Sequence, residues 1–161
     1  MTKFLLSVHV LAAILAVGPI TVAASMFPRF VRTPEGEGDD PPGQNLRTAG
    51  LLHRICRGYT VLGIAVPVFG VATGAQLGVL TDAWLLASVV LTAAAAALLL
   101  LVILPRQRRL LPAPTTEATA PTAEARRAGA ARLAMVTGIF NLLWAVVVVL
   151  MIVRPGSTTG A

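Results

Sequence analysis

His9 is the most conspicuous of the few side chains in this sequence that could do chemistry. It interrupts the run KFLLSVHVLAAILAVGPITVAASMF, in which most residues are aliphatic or small. An imidazole can ligate haem iron or copper, relay protons, or form one hydrogen bond with a neighbouring helix. A polar group is costly in such a run, so a specific role is expected for His9. We expect first a structural role, in which the ring bonds a neighbouring helix or reaches the outer surface, and only second a role as a cofactor ligand.

Other polar side chains occur as pairs spaced one helical turn apart. The sequence HRIC places His53 and Cys56 on one helical face, but two ligands alone do not make a structural zinc site. The remaining pairs are expected to form interhelical hydrogen bonds worth about 0.6–2 kcal/mol each. They are Ser88 with Thr92, and Thr137 with Asn141.

The composition identifies the environment in which these residues lie. Hydrophobic residues make up 56% of the chain and charged residues 12%, well below the roughly 25% charge of soluble domains. Four apolar segments are long enough to cross a bilayer. Only helices and closed β-barrels pair all backbone groups inside a membrane, and these segments lack the alternating pattern of barrel strands, so we expect helices. We predict an all-α, single-domain, four-helix transmembrane bundle with up-down-up-down topology. The predicted spans are residues 4–26, 59–80, 84–104 and 133–153.

Basic residues orient this bundle. Of the Lys and Arg residues, only Lys3 and Arg154 lie outside the two long connections, residues 27–58 and 105–132. The positive-inside rule predicts that both connections are cytoplasmic and both termini outside. The chain is rich in arginine and alanine and has a single lysine, which is typical of a GC-rich bacterial genome. A bacterial plasma membrane is therefore the expected location. Because the basic residues lie between apolar blocks without interleaved aromatics, nucleic acid is not an expected partner.

The two long connections carry further predictions. Pro, Gly and Thr clusters predict irregular loops, and the acidic patch of residues 35–40 is expected to be solvated rather than to bind a cation. The stretch LRTAGLLHRICRG has helical spacing and is expected to lie along the interface before the second span. His53 would then lie roughly 20–25 Å from His9 along the membrane normal, so the two histidines cannot share one metal ion.

Small residues in the second span predict a helix-packing surface. They recur every three or four positions and so share one helical stripe, which allows close backbone approach. A backbone-lined pathway, or a hinge at Pro67, is the alternative function for this stripe. The stripe consists of Gly63, Pro67, Gly70, Gly74 and Gly78. Of the two tryptophans, Trp84 is expected to be an anchor at the outer interface and Trp144 to lie in the core.

Three stretches resemble a bacterial family of predicted four-helix integral membrane proteins of unknown function: KFLLSVHVLAAILAVGP, LVILPRQRRL and VVVVLMIVRPG. That family is distantly similar to CopD-type copper-resistance proteins and to haem-associated membrane protoporphyrinogen oxidases, which also carry a histidine in the first helix. The resemblance implies the four-helix fold and a membrane location, and His9 matches the first-helix histidine of those distant relatives. This sequence lacks the basic residue that the oxidases carry in a later helix. It also lacks the additional histidines or methionines of CopD-type proteins, so the resemblance does not imply the activity of either group.

Three functional hypotheses follow. The first is a non-enzymatic accessory or scaffold subunit that binds other membrane helices, or a second copy, through its glycine stripe, in which case no cofactor is needed. The second is a protein that handles haem b or copper through His9. The third is a component of a small-molecule transporter, which the lack of charged residues within the spans disfavours. No nucleotide-binding loop, nucleophile elbow or carboxylate pair indicates an enzyme.

Overall fold

A computed structural model describes residues 2–33, 43–111 and 122–156 of the chain. Nearly all of these residues are helical, and no strand occurs among them. The helices are α1 (Thr2–Arg32), α2 (Gln44–Gly63), α3 (Ala65–Leu77), α4 (Ala83–Ala97), a π-helical stretch (Leu98–Ile103), α5 (Leu104–Leu110) and α6 (Ala123–Val153).

These elements form four rods, each long and apolar enough to cross a membrane. The first rod is α1, the second is α2 with α3, the third is α4 to α5, and the fourth is α6. The first rod packs along the second and also contacts the fourth, while the third packs against the fourth. The predicted all-α four-helix bundle is confirmed.

The rods continue beyond the predicted spans at one end of the bundle, here called the arginine-rich end. There α1 continues through Pro28 to Arg32, and α6 begins at Ala123, capped by the Thr122 hydroxyl, which accepts a hydrogen bond from the Ala125 amide. The segment expected to lie along the interface is instead the first part of α2, in line with the second span. Hydropathy detects only the apolar middle of a helix, whose hydrogen bonds continue into its polar ends. The acidic patch of residues 35–40 lies outside the described residues.

Prolines account for two irregularities in the rods. Pro67 cannot supply the N–H that would pair with the Gly63 carbonyl, and the second rod is interrupted at Ile64, between α2 and α3. In the third rod, Pro105 cannot pair with the Leu101 carbonyl, and the π-helical stretch ends just before it. The wider π turn pairs carbonyls with N–H groups five residues onward, which accommodates the missing donor.

Gly78 terminates α3. Its φ of 71° lies in the left-handed region, and the Val79 amide donates to the Gly74 carbonyl at 3.1 Å, which closes the last turn. Residues 78–82 then connect to α4, so the helix ends at Leu77 rather than at residue 80. This hairpin lies at the end of the bundle opposite the arginines, here called the Trp84 end.

Large side chains fill the arginine-rich half of the bundle. Phe27 and Val31 of α1, Ile103 of the third rod and Leu133 and Phe140 of α6 are almost fully buried there. The Trp84 half lacks such a continuous core and instead contains a cavity that is open on one side.

Candidate ligand-binding cavity

A cavity of about 640 Å³ lies between α1, α3, the start of α4 and the end of α6. Its volume falls within the roughly 300–1,000 Å³ of small-molecule and cofactor sites. The walls are mainly aliphatic, with Val10, Ile14, Leu85 and Val147 among them. Five polar or aromatic side chains also line the cavity: His9, Thr73, Trp84, Trp144 and Arg154. All four rods contribute, as in bundles that hold a cofactor between facing helices.

His9 projects from α1 into this cavity and is only 8% exposed. Its Nδ1 lies 2.9 Å from the carbonyl oxygen of Val66 on α3. A carbonyl can only accept, so Nδ1 must carry a hydrogen and donate it. In the neutral ring, this tautomer leaves the lone pair on Nε2. Within the described ranges, no side chain or backbone group bonds Nε2.

Gly70 makes room for the imidazole. A Cβ placed on Gly70 would lie 2.9 Å from Cε1 of His9 and 3.3 Å from its Nδ1, closer than packed atoms tolerate. The ring therefore lies against the bare backbone of α3, one helical turn beyond the carbonyl that it bonds. Val66 determines that Nδ1 carries a hydrogen, and Gly70 leaves the space in which the imidazole lies.

The rest of the predicted packing stripe serves several purposes. A Cβ on Gly74 would lie 2.9 Å from a methyl group of Leu85, so that glycine allows α3 to approach α4. Gly63 faces Ile20 of α1 more loosely, at 4.0 Å. Pro67 is exposed, and Gly78 is the helix terminator described above, with no atom near its Cβ position.

Trp84 and Arg154 lie together in the cavity wall at its outermost end. Trp84 is only 7% exposed, and its Nε1 donates to the Asp82 carboxylate at 3.0 Å. The Arg154 guanidinium lies 5.6 Å from the centre of the Trp84 ring, within cation–π range. Trp84 thus lies at the start of α4 as an inward-facing part of the cavity wall, and its role as an interfacial anchor stays a prediction.

Polar side chains of α6 follow one stripe from the cavity into the bundle. Asn141 bonds another helix, since its Nδ2 donates to the Ser25 hydroxyl of α1 at 3.0 Å. Three buried polar atoms have no partner among the described residues: the Thr137 hydroxyl, Asn141 Oδ1 and Trp144 Nε1. Trp144 is partly buried, packs edge-to-face on Phe140 and also lines the cavity.

The pair in the third rod differs from its prediction. The Ser88 hydroxyl donates to the Trp84 carbonyl of its own helix at 2.8 Å, so Ser88 is not an interhelical donor. Thr92 is half-buried and makes no interhelical bond to any described residue. In a helix a serine hydroxyl readily bonds the carbonyl four residues earlier, and this local bond competes with any partner across the interface.

A second polar cluster lies in the arginine-rich half and was not predicted. His53 Nδ1 lies 3.0 Å from Oε1 of Gln107, and Nε2 of Gln107 lies 3.7 Å from the Cys56 sulfur, which in turn lies 3.9 Å from the carbonyl of Ile20. Gln107 has 0% exposure and links the third rod to the second. The one-face spacing of His53 and Cys56 was visible in the sequence, but Gln107 is hidden among the arginines of PRQRRL.

Comparisons with protein-family models, curated proteins and solved structures returned no match to this chain.

Proposed function

We propose that this protein is a multi-pass protein of the bacterial plasma membrane that binds haem b, with His9 as the ligand to iron. The observation that carries the proposal is the geometry of His9. Its Nδ1 donates to a backbone carbonyl, and its imidazole lines the wall of an apolar cavity. Histidines that ligate metals almost always donate their other N–H to a carbonyl or carboxylate, which fixes the tautomer and ring orientation.

Haem suits this cavity better than copper does. Haem iron can be held by a single proximal histidine, and the macrocycle gains most of its binding energy from apolar walls. A copper site takes several protein ligands, and the other lining side chains offer one thioether, that of Met151. A hydrogen bond to Val66 alone would explain the tautomer of His9, but not the cavity beside the ring.

Each residue of the site has a defined part in this proposal. His9 would hold the iron, Val66 would keep its lone pair on Nε2, and Gly70 would leave room for the ring beside α3. The aliphatic walls would exclude water. Bound haem supplies one-electron exchange or binding of a small axial ligand, and the protein tunes it through the basicity of His9. Binding alone needs no catalysis, and the expectation that the chain is not an enzyme is retained.

The accessory-subunit hypothesis had the glycine stripe as its support. Gly70 and Gly74 contact His9 and Leu85 of the same chain, so these glycines are not free to receive another protein's helix. Lipid is then the partner that covers the outer apolar faces of the rods. A transporter would need a hydrated path, and the mainly aliphatic cavity wall does not favour one.

The orientation is part of the proposal. The arginines of α1, α2, α5 and α6 lie at one end of the bundle, and the positive-inside rule places that end in the cytoplasm. The termini and the His9 cavity then belong to the outer half of the membrane.

A haem titration of the purified protein tests the function. The wild-type protein should develop a Soret band that saturates at one haem per chain, and His9→Ala should lose it. The matched control is His53→Ala, which removes the other histidine and should keep the band. Added imidazole should restore the spectrum of His9→Ala, because the vacated space can admit the free ligand. If His9→Ala binds haem as wild type does, the proposal is wrong.

A further inference from the structure

We infer that the cavity selects a ligand that carries a carboxylate, which the guanidinium of Arg154 binds. For haem, this predicts that the propionate edge faces the Trp84 end while the iron meets His9. The inference rests on the proposed function and adds both the recognition of charge and the orientation of the ligand.

Arg154 is placed at the cavity by several contacts. It follows α6 directly, with its backbone in the left-handed region at φ 44° and its amide bonded to the Leu150 carbonyl. Its Nε donates to the Met151 carbonyl at 3.4 Å, and its guanidinium packs over the ring of Trp84. These contacts hold the side chain against the cavity wall rather than directing it into water.

The charge of Arg154 is not neutralised by the described part of the chain. Asp82, the acidic residue described at this end, accepts a hydrogen bond from the indole of Trp84. No carboxylate among the described residues forms an ion pair with Arg154. Of the five N–H donors of a guanidinium, only that on Nε has a hydrogen-bond partner there. A partly buried cation with free donors at the rim of an apolar cavity complements an anionic group on an apolar body.

The depth of the two groups agrees with one elongated ligand. His9 lies about 10 Å from the start of α1, given 1.5 Å per residue, and Arg154 lies at the end of the antiparallel α6. The acceptor Nε2 is therefore the deep contact and the cation is the shallow one. Haem carries a central metal and two carboxylates on one edge, so a single molecule can use both contacts.

Esterification gives the sharpest test, because haem dimethyl ester keeps the iron and the macrocycle but has no carboxylate charge. Wild-type protein should bind haem about tenfold more tightly than the ester in spectroscopic titrations, the effect of one charge-assisted contact. Arg154→Gln should lose this preference with its ester affinity unchanged, and Arg154→Lys should keep part of it. Arg132→Gln, which removes an exposed arginine from the other end of α6, should behave as wild type.

Each outcome has one meaning. Equal wild-type affinities for acid and ester would overturn the role of Arg154 and leave His9 coordination standing. A preference for the acid that survives in Arg154→Gln would assign charge recognition to another group and also overturn the inference. Binding of neither compound would overturn the haem proposal and this inference with it.

Discussion

Replacement of Gly70 by alanine should disturb His9 without touching its side chain. The new methyl group would lie 2.9 Å from Cε1 and 3.3 Å from Nδ1 of His9, so the ring would have to move and weaken its bond to Val66. Overpacking of this kind costs about 1–3 kcal/mol, while removal of a helical glycine returns about 0.5–1 kcal/mol. The net expectation is a loss of about 1–2 kcal/mol in the free energy of unfolding.

Gly138 offers a matched control, because it lies within α6 and a Cβ there would meet no atom within 4 Å. Gly138→Ala should leave stability unchanged or raise it by up to about 1 kcal/mol. Reversible unfolding in mixed micelles, followed by helical circular dichroism, would measure both variants. A double-mutant cycle with His9→Ala isolates the contact, since the cost of Gly70→Ala should largely vanish when the imidazole is absent. Equal stabilities of Gly70→Ala and Gly138→Ala would refute the close packing of His9 on α3.

Two further predictions concern the arginine-rich end. Gln107→Leu should cost about 0.5–1.5 kcal/mol of unfolding free energy, because the part-buried His53 N–H loses its acceptor. Gln76→Leu on the exposed surface of α3 should cost little, and equal effects of the two changes would deny the polar cluster a structural role. Reporter fusions after Arg109 and after Arg154 should report opposite compartments, and activity of both fusions in one compartment would overturn the proposed orientation.

The architecture could be predicted from the sequence because it follows from local properties. Apolar length alone located the middle of each rod, and the membrane requirement for internal hydrogen bonding made these rods helices. The rod ends could not be located in the same way. Their residues are polar, as in the first part of α2, and a helix that continues into polar surroundings has no signature in hydropathy.

The sequence indicated His9 as a site residue but not the residues that surround it. His9 is conspicuous because an imidazole in an apolar run is rare, but its partner Val66 is 57 residues away and has no distinguishing side chain. The glycine spacing indicated close packing without saying that Gly70 receives the imidazole. From the sequence, Arg154 bore only on the distribution of basic residues that orients the bundle. Its position over Trp84 depends on how α6 ends beside the start of α4, which is a property of the packed bundle.

The protonation of His9 is the most direct test of the whole account. A nitrogen NMR spectrum of protein labelled at histidine would show it, with His9→Gln used to assign the two rings. We expect the hydrogen of the His9 ring on Nδ1, and an Nε2 resonance that shifts when a diamagnetic metalloporphyrin is added. A hydrogen on Nε2, or an Nε2 resonance indifferent to the porphyrin, would contradict it.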